Sequence, residues 1–249
     1  MSSDERALEA TGLIGREVPA ALARGDIRVL GMMTNASNET LLVRCDDGAR
    51  GVPAIYKPRR GELPLWDFPD GTLHRREAAA YSVARSLGWP NVPPTVIRDG
   101  PWGVGSVQLF VEADPEQHYF TLGPEYAEEL RRVTLFDVVA NNADRKAGHC
   151  LLDESRAIWV IDHGVCFAEE AKLRTVIWAF AGEPIAAPLL HALSNTRSDL
   201  ERGAPLRAEL TDLLSAAEVD AMARRLDALL ERATFPFPGP GRPFPWPPI

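Results

Sequence analysis

Between Asn141 and Gly164 the chain reads NNADRKAGHCLLDESRAIWVIDHG, which gathers acids, bases and a glycine in one short stretch. Asp144 is followed two residues later by Lys146 and five residues later by His149, and Asp162 follows a short apolar run. Carboxylates beside a cation and an imidazole suit three arrangements: a solvated charged turn, a metal site, or the acid–base and metal-holding part of a phosphate-transfer site. As zinc ligands, His149, Cys150, Asp162, His163 and Cys166 lack the CxxC or HxxxH spacing of common zinc sites. Phosphate transfer needs more parts: a cation on the phosphates, a partner that holds it, a metal ligand and a carboxylate facing the acceptor. Lys57 ends the apolar run AIYKP, and Glu77 stands 20 residues further on. Lysine occurs only at positions 57, 146 and 172 in an Arg- and Ala-rich chain, so each retained lysine carries information.

The elements that must position these side chains follow from periodicity. Extended runs at 27–33 and 40–45 flank the turn formers TNASNE, which predicts a hairpin, and 52–58 reads as a third strand ended by Pro58. The Pro- and Gly-rich stretch 58–71 reads as an ordered loop, with Trp66, Phe68 and Trp89 as packing residues. LHRREAAAYSVARSLG at 73–88 has helical spacing and a glycine stop. PPTVIRDG and GVGSVQLFVE form a second hairpin. Helices are expected at 124–142, 184–195, 205–214 and 216–232, the last opened by a Ser215/Glu218 capping box, and short helical pieces at 4–24. The fold class is therefore α+β: a β-rich lobe over 1–111, a mainly helical lobe over 112–233, and an extended Pro- and aromatic-rich tail over 234–249.

Four motifs, AIYKP at 54–58, RREAAAY at 75–81, NNADRKAGH at 141–149 and VIDHG at 160–164, occur in an order that resembles the protein-kinase-like superfamily. The chain is most similar to the phosphatidylinositol 3- and 4-kinase-like branch with its small bacterial members. The resemblance implies a bilobal kinase-like fold and a phosphotransferase that uses ATP with Mg²⁺ or Mn²⁺. By that resemblance Lys57 binds the ATP phosphates and Glu77 positions it. Asp144 orients or deprotonates the acceptor hydroxyl, and Lys146 faces the γ-phosphate. Asp162 holds the metal, with His149 where the family usually has Asn. Gln108 to Val111, including Phe110, become the hinge that meets the adenine. Thr34–Asn38 replaces the glycine-rich loop, so Ser37 and Asn38 donate to phosphate. A nucleotide-binding pseudokinase and an AMP transferase on the same fold are the alternatives, since His149 and the glycine-poor loop depart from the family pattern.

Composition sets outer bounds. The formal charge is −8, which disfavours nucleic acid and anionic membrane as general partners. Arg59-Arg60 and His74-Arg75-Arg76 are the local basic clusters open to an anionic acceptor. The acceptor itself, whether a protein, a lipid headgroup or a small metabolite, is not written in the sequence. The cysteines at 45, 150 and 166 are odd in number and follow no secretory segment, which predicts free core thiols and a cytoplasmic location. No apolar run approaches the ~20 residues of a membrane span.

Overall fold

Five strands form an antiparallel sheet in the computed structural model, which describes residues 20–33, 38–48 and 51–249. The strands are β1 (Asp26–Met32), β2 (Leu41–Asp46), β3 (Gly51–Pro58), β4 (Thr95–Gly100) and β5 (Gly103–Leu109), in the order β1-β2-β3-β5-β4. Period-two alternation fixes the register, since a one-residue slip would turn Leu41, Val43 and Cys45 out of the core. These side chains pack with Ala54, Tyr56 and Val107 beneath a short helix, α1 (Ala20–Arg24), which contributes the fully buried Leu22. The rest of the expected helical stretch at 4–24 lies outside the described residues.

Helix α2 (Leu73–Leu87) is buried on nearly every side. The triplet Ala78-Ala79-Ala80 lets neighbouring elements approach it closely, and Gly88 ends it in the left-handed conformation at φ 77°. Its N-terminus is capped from a distance: the Glu62 carboxylate accepts the N–H groups of Leu73 (3.1 Å) and His74 (2.8 Å). The apolar side of α2 joins the core of the helical half rather than the core beneath the sheet. Arg76, 1% exposed, donates to the Cys166 carbonyl and the Glu218 carboxylate, both at 2.6 Å. Ser82 and Arg85 both reach Glu209. These bonds tie α2 down along its length. They also remove His74 and Arg76 from the basic cluster expected to face an anionic acceptor, because each is buried against a carboxylate.

The helical half contains α3 (Ala127–Ala140), α4 (Ala187–Ser198), α5 (Pro205–Leu213) and α6 (Ala216–Arg232), with a small hairpin of β6 (Cys150–Leu152) and β7 (Ile158–Val160). The β6 strand was not anticipated, because CLL alone has no strand period. Helix α4 starts three residues later than expected. Residues 182–185 are held instead by backbone bonds to Ala233 and Phe235, and Pro188 then sits in the first turn, where its missing N–H costs nothing. The Ser215/Glu218 capping box is formed on both sides. Ser215→Ala should therefore lower stability by about 1 kcal/mol in urea unfolding. Trp66 departs from its expected packing role: it is 94% exposed, on the loop between β3 and α2.

All three cysteines are buried and unpaired. Burial pushes the Cys150 thiol up to about 12 and raises those of Cys45 and Cys166. A thiol reagent at pH 8 should therefore label none of them in the native protein and all three after denaturation. Rapid native labelling would contradict this packing.

Candidate functional site

The residues picked out by type converge at the junction of sheet and helices. Pro58 ends β3, and Lys57 just before it turns its ammonium toward α2, where Glu77 Oε1 lies at 2.5 Å. The same ammonium reaches Asp162 Oδ1 at 3.0 Å, across 105 residues of sequence. Glu77 uses its second oxygen to accept the His163 N–H at 3.0 Å, so one carboxylate fixes both the lysine and the turn that carries Asp162. Asp162 adopts φ 62°, a left-handed conformation unusual for a residue with a side chain. Half of its side-chain surface remains exposed.

Helix α3 ends at Asn141, itself left-handed at φ 51°, and the chain turns into the loop bearing Asp144. Asn142 shapes that loop: its side-chain oxygen accepts the Asp144 N–H (3.0 Å) and its amide donates to Asp137 (3.0 Å). Lys146 Nζ lies 3.4 Å from Asp144 Oδ2. His149 Nε2 lies 3.4 Å from Asp162 Oδ2, and its Nδ1 accepts the Lys146 N–H at 3.4 Å. A neutral imidazole that accepts at Nδ1 carries its hydrogen on Nε2. In this arrangement the Nε2–H of His149 faces Asp162 without hydrogen bonding to it, and ligation of a metal through Nε2 requires the other tautomer.

Beneath both loops lies Arg145, fully buried, as is its partner Asp137. The guanidinium donates to Asp137 (3.0 Å), to the Ile161 carbonyl (2.9 Å) and to His163 Nε2 (2.8 Å). It therefore links the Asp144 loop to the residues on either side of Asp162. Neither Asp137 nor Arg145 was singled out by sequence, where an arginine in an Arg-rich chain gave no usable signal.

Electrostatics separate the two aspartates. The Lys57 ammonium holds the Asp162 carboxyl well below the usual range, against the opposing effect of burial. Burial raises the Asp144 carboxyl above its ordinary value, partly countered by Lys146. Burial also disfavours the charge on Lys57, but Asp162 and Glu77 outweigh it and raise its pKa. His149 is pushed down to about 4 by burial and is neutral at pH 7. The site thus holds an ionised carboxylate beside a cation and, near it, a more basic carboxylate.

The residues expected to face a nucleotide are placed less uniformly. Ser37 lies outside the described residues. The Asn38 side-chain oxygen accepts the Leu63 N–H at 2.8 Å, so part of its polar capacity holds the β3–α2 loop. Gln108 sits in the sheet interior between Ile55 and Thr95, and its amide donates to Thr95 at 2.8 Å. Gln108 thus lies within β5, and the chain leaves the ladder beyond Leu109. Phe110 still gives its N–H to Pro53 (3.1 Å), whereas the Val111 N–H has no backbone acceptor among the described residues. Among those residues, no three His, Cys, Asp or Glu side chains are clustered to hold a metal by themselves, so the five candidate zinc ligands do not form a site. The donor set does fit Mg²⁺, which binds through one or two carboxylates completed by phosphate oxygens and water.

The chain is similar to several known proteins. The chain is 41% identical to Protein Rv2133c of Mycobacterium tuberculosis over 263 residues, covering 92% of this chain and 94% of the relative. It is 29% identical to phosphatidylinositol 4-kinase gamma 4 of Oryza sativa subsp. japonica over 187 residues, covering 60% of this chain but 33% of that enzyme. Among solved structures, the Helicobacter pylori proinflammatory kinase CtkA superposes with a TM-score of 0.51 at 12% identity, over 85% of this chain and 93% of that one. That likeness shows a kinase-like α+β fold. No protein-family model matches the chain. No helix among the described residues is long and apolar enough to cross a membrane.

Proposed function

We propose that this chain, which belongs to the family of the mycobacterial Protein Rv2133c, is an ATP- and divalent-metal-dependent phosphotransferase acting on a hydroxyl group. One observation carries the reading: the Lys57 ammonium bridges Glu77 and Asp162. A strand lysine held by a helix glutamate, beside a metal-binding aspartate, is the phosphate-handling set of kinases.

In this reading Lys57 meets the α- and β-phosphates while Glu77 keeps it in place. Asp162, together with phosphate oxygens and water, would hold the divalent ion, which supplies neutralising charge on the β- and γ-oxygens when bound. His149 lies beside Asp162, its Nε2 3.4 Å from Oδ2. Asp144, raised in pKa, accepts the proton of the acceptor hydroxyl. The hydroxyl oxygen forms its bond to the γ-phosphorus as the bond to the β,γ-bridging oxygen breaks and ADP leaves. Lys146, paired with Asp144 here, swings to the transferred group. Phe110 and Val111 border the adenine, Val111 offering its N–H. The acceptor is a protein, lipid headgroup or small metabolite; the similarity to a phosphatidylinositol 4-kinase makes inositol lipids one compound class to assay.

The imidazole at 149 favours a second reading, a module that binds nucleotide without transferring a phosphate, because it leaves fewer carbonyl or carboxylate oxygens for a metal. Product analysis after incubation with ATP and Mg²⁺ or Mn²⁺ separates the cases. ADP with a phosphorylated acceptor supports the kinase, pyrophosphate with an adenylylated acceptor supports AMP transfer, and thermal stabilisation without product supports the binding module.

A further inference from the structure

Segment 234–249, with seven prolines, leaves α6 and runs back along residues 175–185 toward the catalytic loop. Its start is anchored: Ala233 accepts from Ile185 (2.9 Å), Phe235 exchanges bonds with Gly182 (3.0 Å) and Glu183 (2.9 Å), and the Phe235 ring is buried beside Phe180. Further on, the Pro243 carbonyl accepts from the Thr175 N–H (3.0 Å) and from the Trp178 indole (3.3 Å). The Pro248 carbonyl then accepts the N–H of Ala147 at 2.8 Å, one residue beyond Lys146.

Thr175 belongs to the wall of the catalytic loop. Arg174 N–H donates to Asn142 (2.9 Å), Arg145 N–H to Arg174 (3.0 Å) and Val176 N–H to Arg145 (3.1 Å). The catalytic loop, residues 174–176 and the proline segment therefore close a ring of backbone hydrogen bonds around Asp144. Residues 174–185 contain no helix or strand of their own and depend on such partners for order. Proline-rich chain suits the task, because its fixed φ lowers the entropy lost on docking and its carbonyls remain good acceptors.

We propose that segment 241–249 is a positioning element of the active site, a brace that holds the catalytic loop and residues 174–178 in register for transfer. The inference rests on the phosphotransferase reading of the cleft. It is a brace and not a plug: with the segment docked, the side chains of Asp144 and Asp162 keep 34% and 50% of their surface exposed. Its carbonyls accept from the backbone N–H groups of Ala147 and Thr175 and from the Trp178 indole, and not from Lys57.

The test compares the full chain with a variant ending at Pro240, which keeps the Phe235 anchor. Hydrogen exchange should rise at the Ala147 and Thr175 amides. The kcat for ATP turnover should fall about tenfold or more, with the KM for ATP changed by less than about threefold. A synthetic peptide of residues 239–249 added in trans should restore kcat. If the shortened chain does not fold, the full-length double variant Pro243→Gly, Pro248→Gly should show the same changes in smaller measure. Unchanged exchange and turnover would overturn the brace, and faster turnover would identify a plug instead. Should the full chain turn over no ATP, the phosphotransferase reading fails while exchange still decides. Lost protection at both amides, with binding of an ATP analogue retained, supports bracing; retained protection rejects it.

Discussion

Asp162→Ala should reduce metal-dependent ATP turnover by about a thousandfold or more, because it removes the Lys57-paired carboxylate to which the proposed function gives the metal. Nucleotide affinity in the presence of Mg²⁺ or Mn²⁺ should fall with it. Asp144→Ala should behave differently. It should lower transfer by about 10²- to 10⁴-fold, the range for loss of a general base, yet leave nucleotide binding within about threefold. The contrast follows from the geometry: Asp162 touches Lys57, the lysine proposed to meet the phosphates, whereas Asp144 touches only Lys146 among the cations. Steady-state kinetics and equilibrium titration of each variant with an ATP analogue would check it. Wild-type transfer in both variants would refute the enzymatic reading. The charges needed are in place around neutral pH. The raised Lys57 pKa keeps its stabilising contribution complete until pH rises past the ordinary lysine value. The depressed Asp162 pKa keeps its contribution above the ordinary aspartate value and loses it only on strong acidification.

Arg145→Ala should cost about 3–5 kcal/mol of folding stability, the usual result of stripping one partner from a buried ion pair. Asp137 would be left charged and fully buried, and the carbonyl of Ile161 and the His163 ring would lose a donor. Against a total of roughly 5–15 kcal/mol for a domain, this change threatens folding itself. Urea unfolding followed by circular dichroism measures it. The double variant Asp137→Leu, Arg145→Met should recover part of the loss, because no orphan charge remains. A single-variant cost below about 1 kcal/mol would show that the pair is not the strut between the two loops.

The residues that meet at the candidate site were largely legible because their types are scarce or oddly grouped. Lys57 stands out in a lysine-poor chain, and Asp144, Lys146, His149 and Asp162 crowd one short segment. Strands β1 to β5, helix α2 with its Gly88 stop, and the Ser215 cap were legible because period, cap and turn chemistry are local properties. The place of Gln108 inside β5, paired with Ile55, was not legible before the register was known.

By itself, then, the sequence determined the inventory and its order: an α+β chain with a lysine, a glutamate and two aspartates at kinase-like spacing. Only the tertiary structure decided which groups meet. It set Lys57 against Asp162 across 105 residues, buried Arg145 on Asp137, took His74 and Arg76 out of the basic surface, and laid the proline segment on Ala147 and Thr175. The reason is physical. Secondary structure answers to neighbours a few residues apart, whereas ion pairs, desolvation and loop bracing depend on through-space distances that only packing of the whole chain fixes.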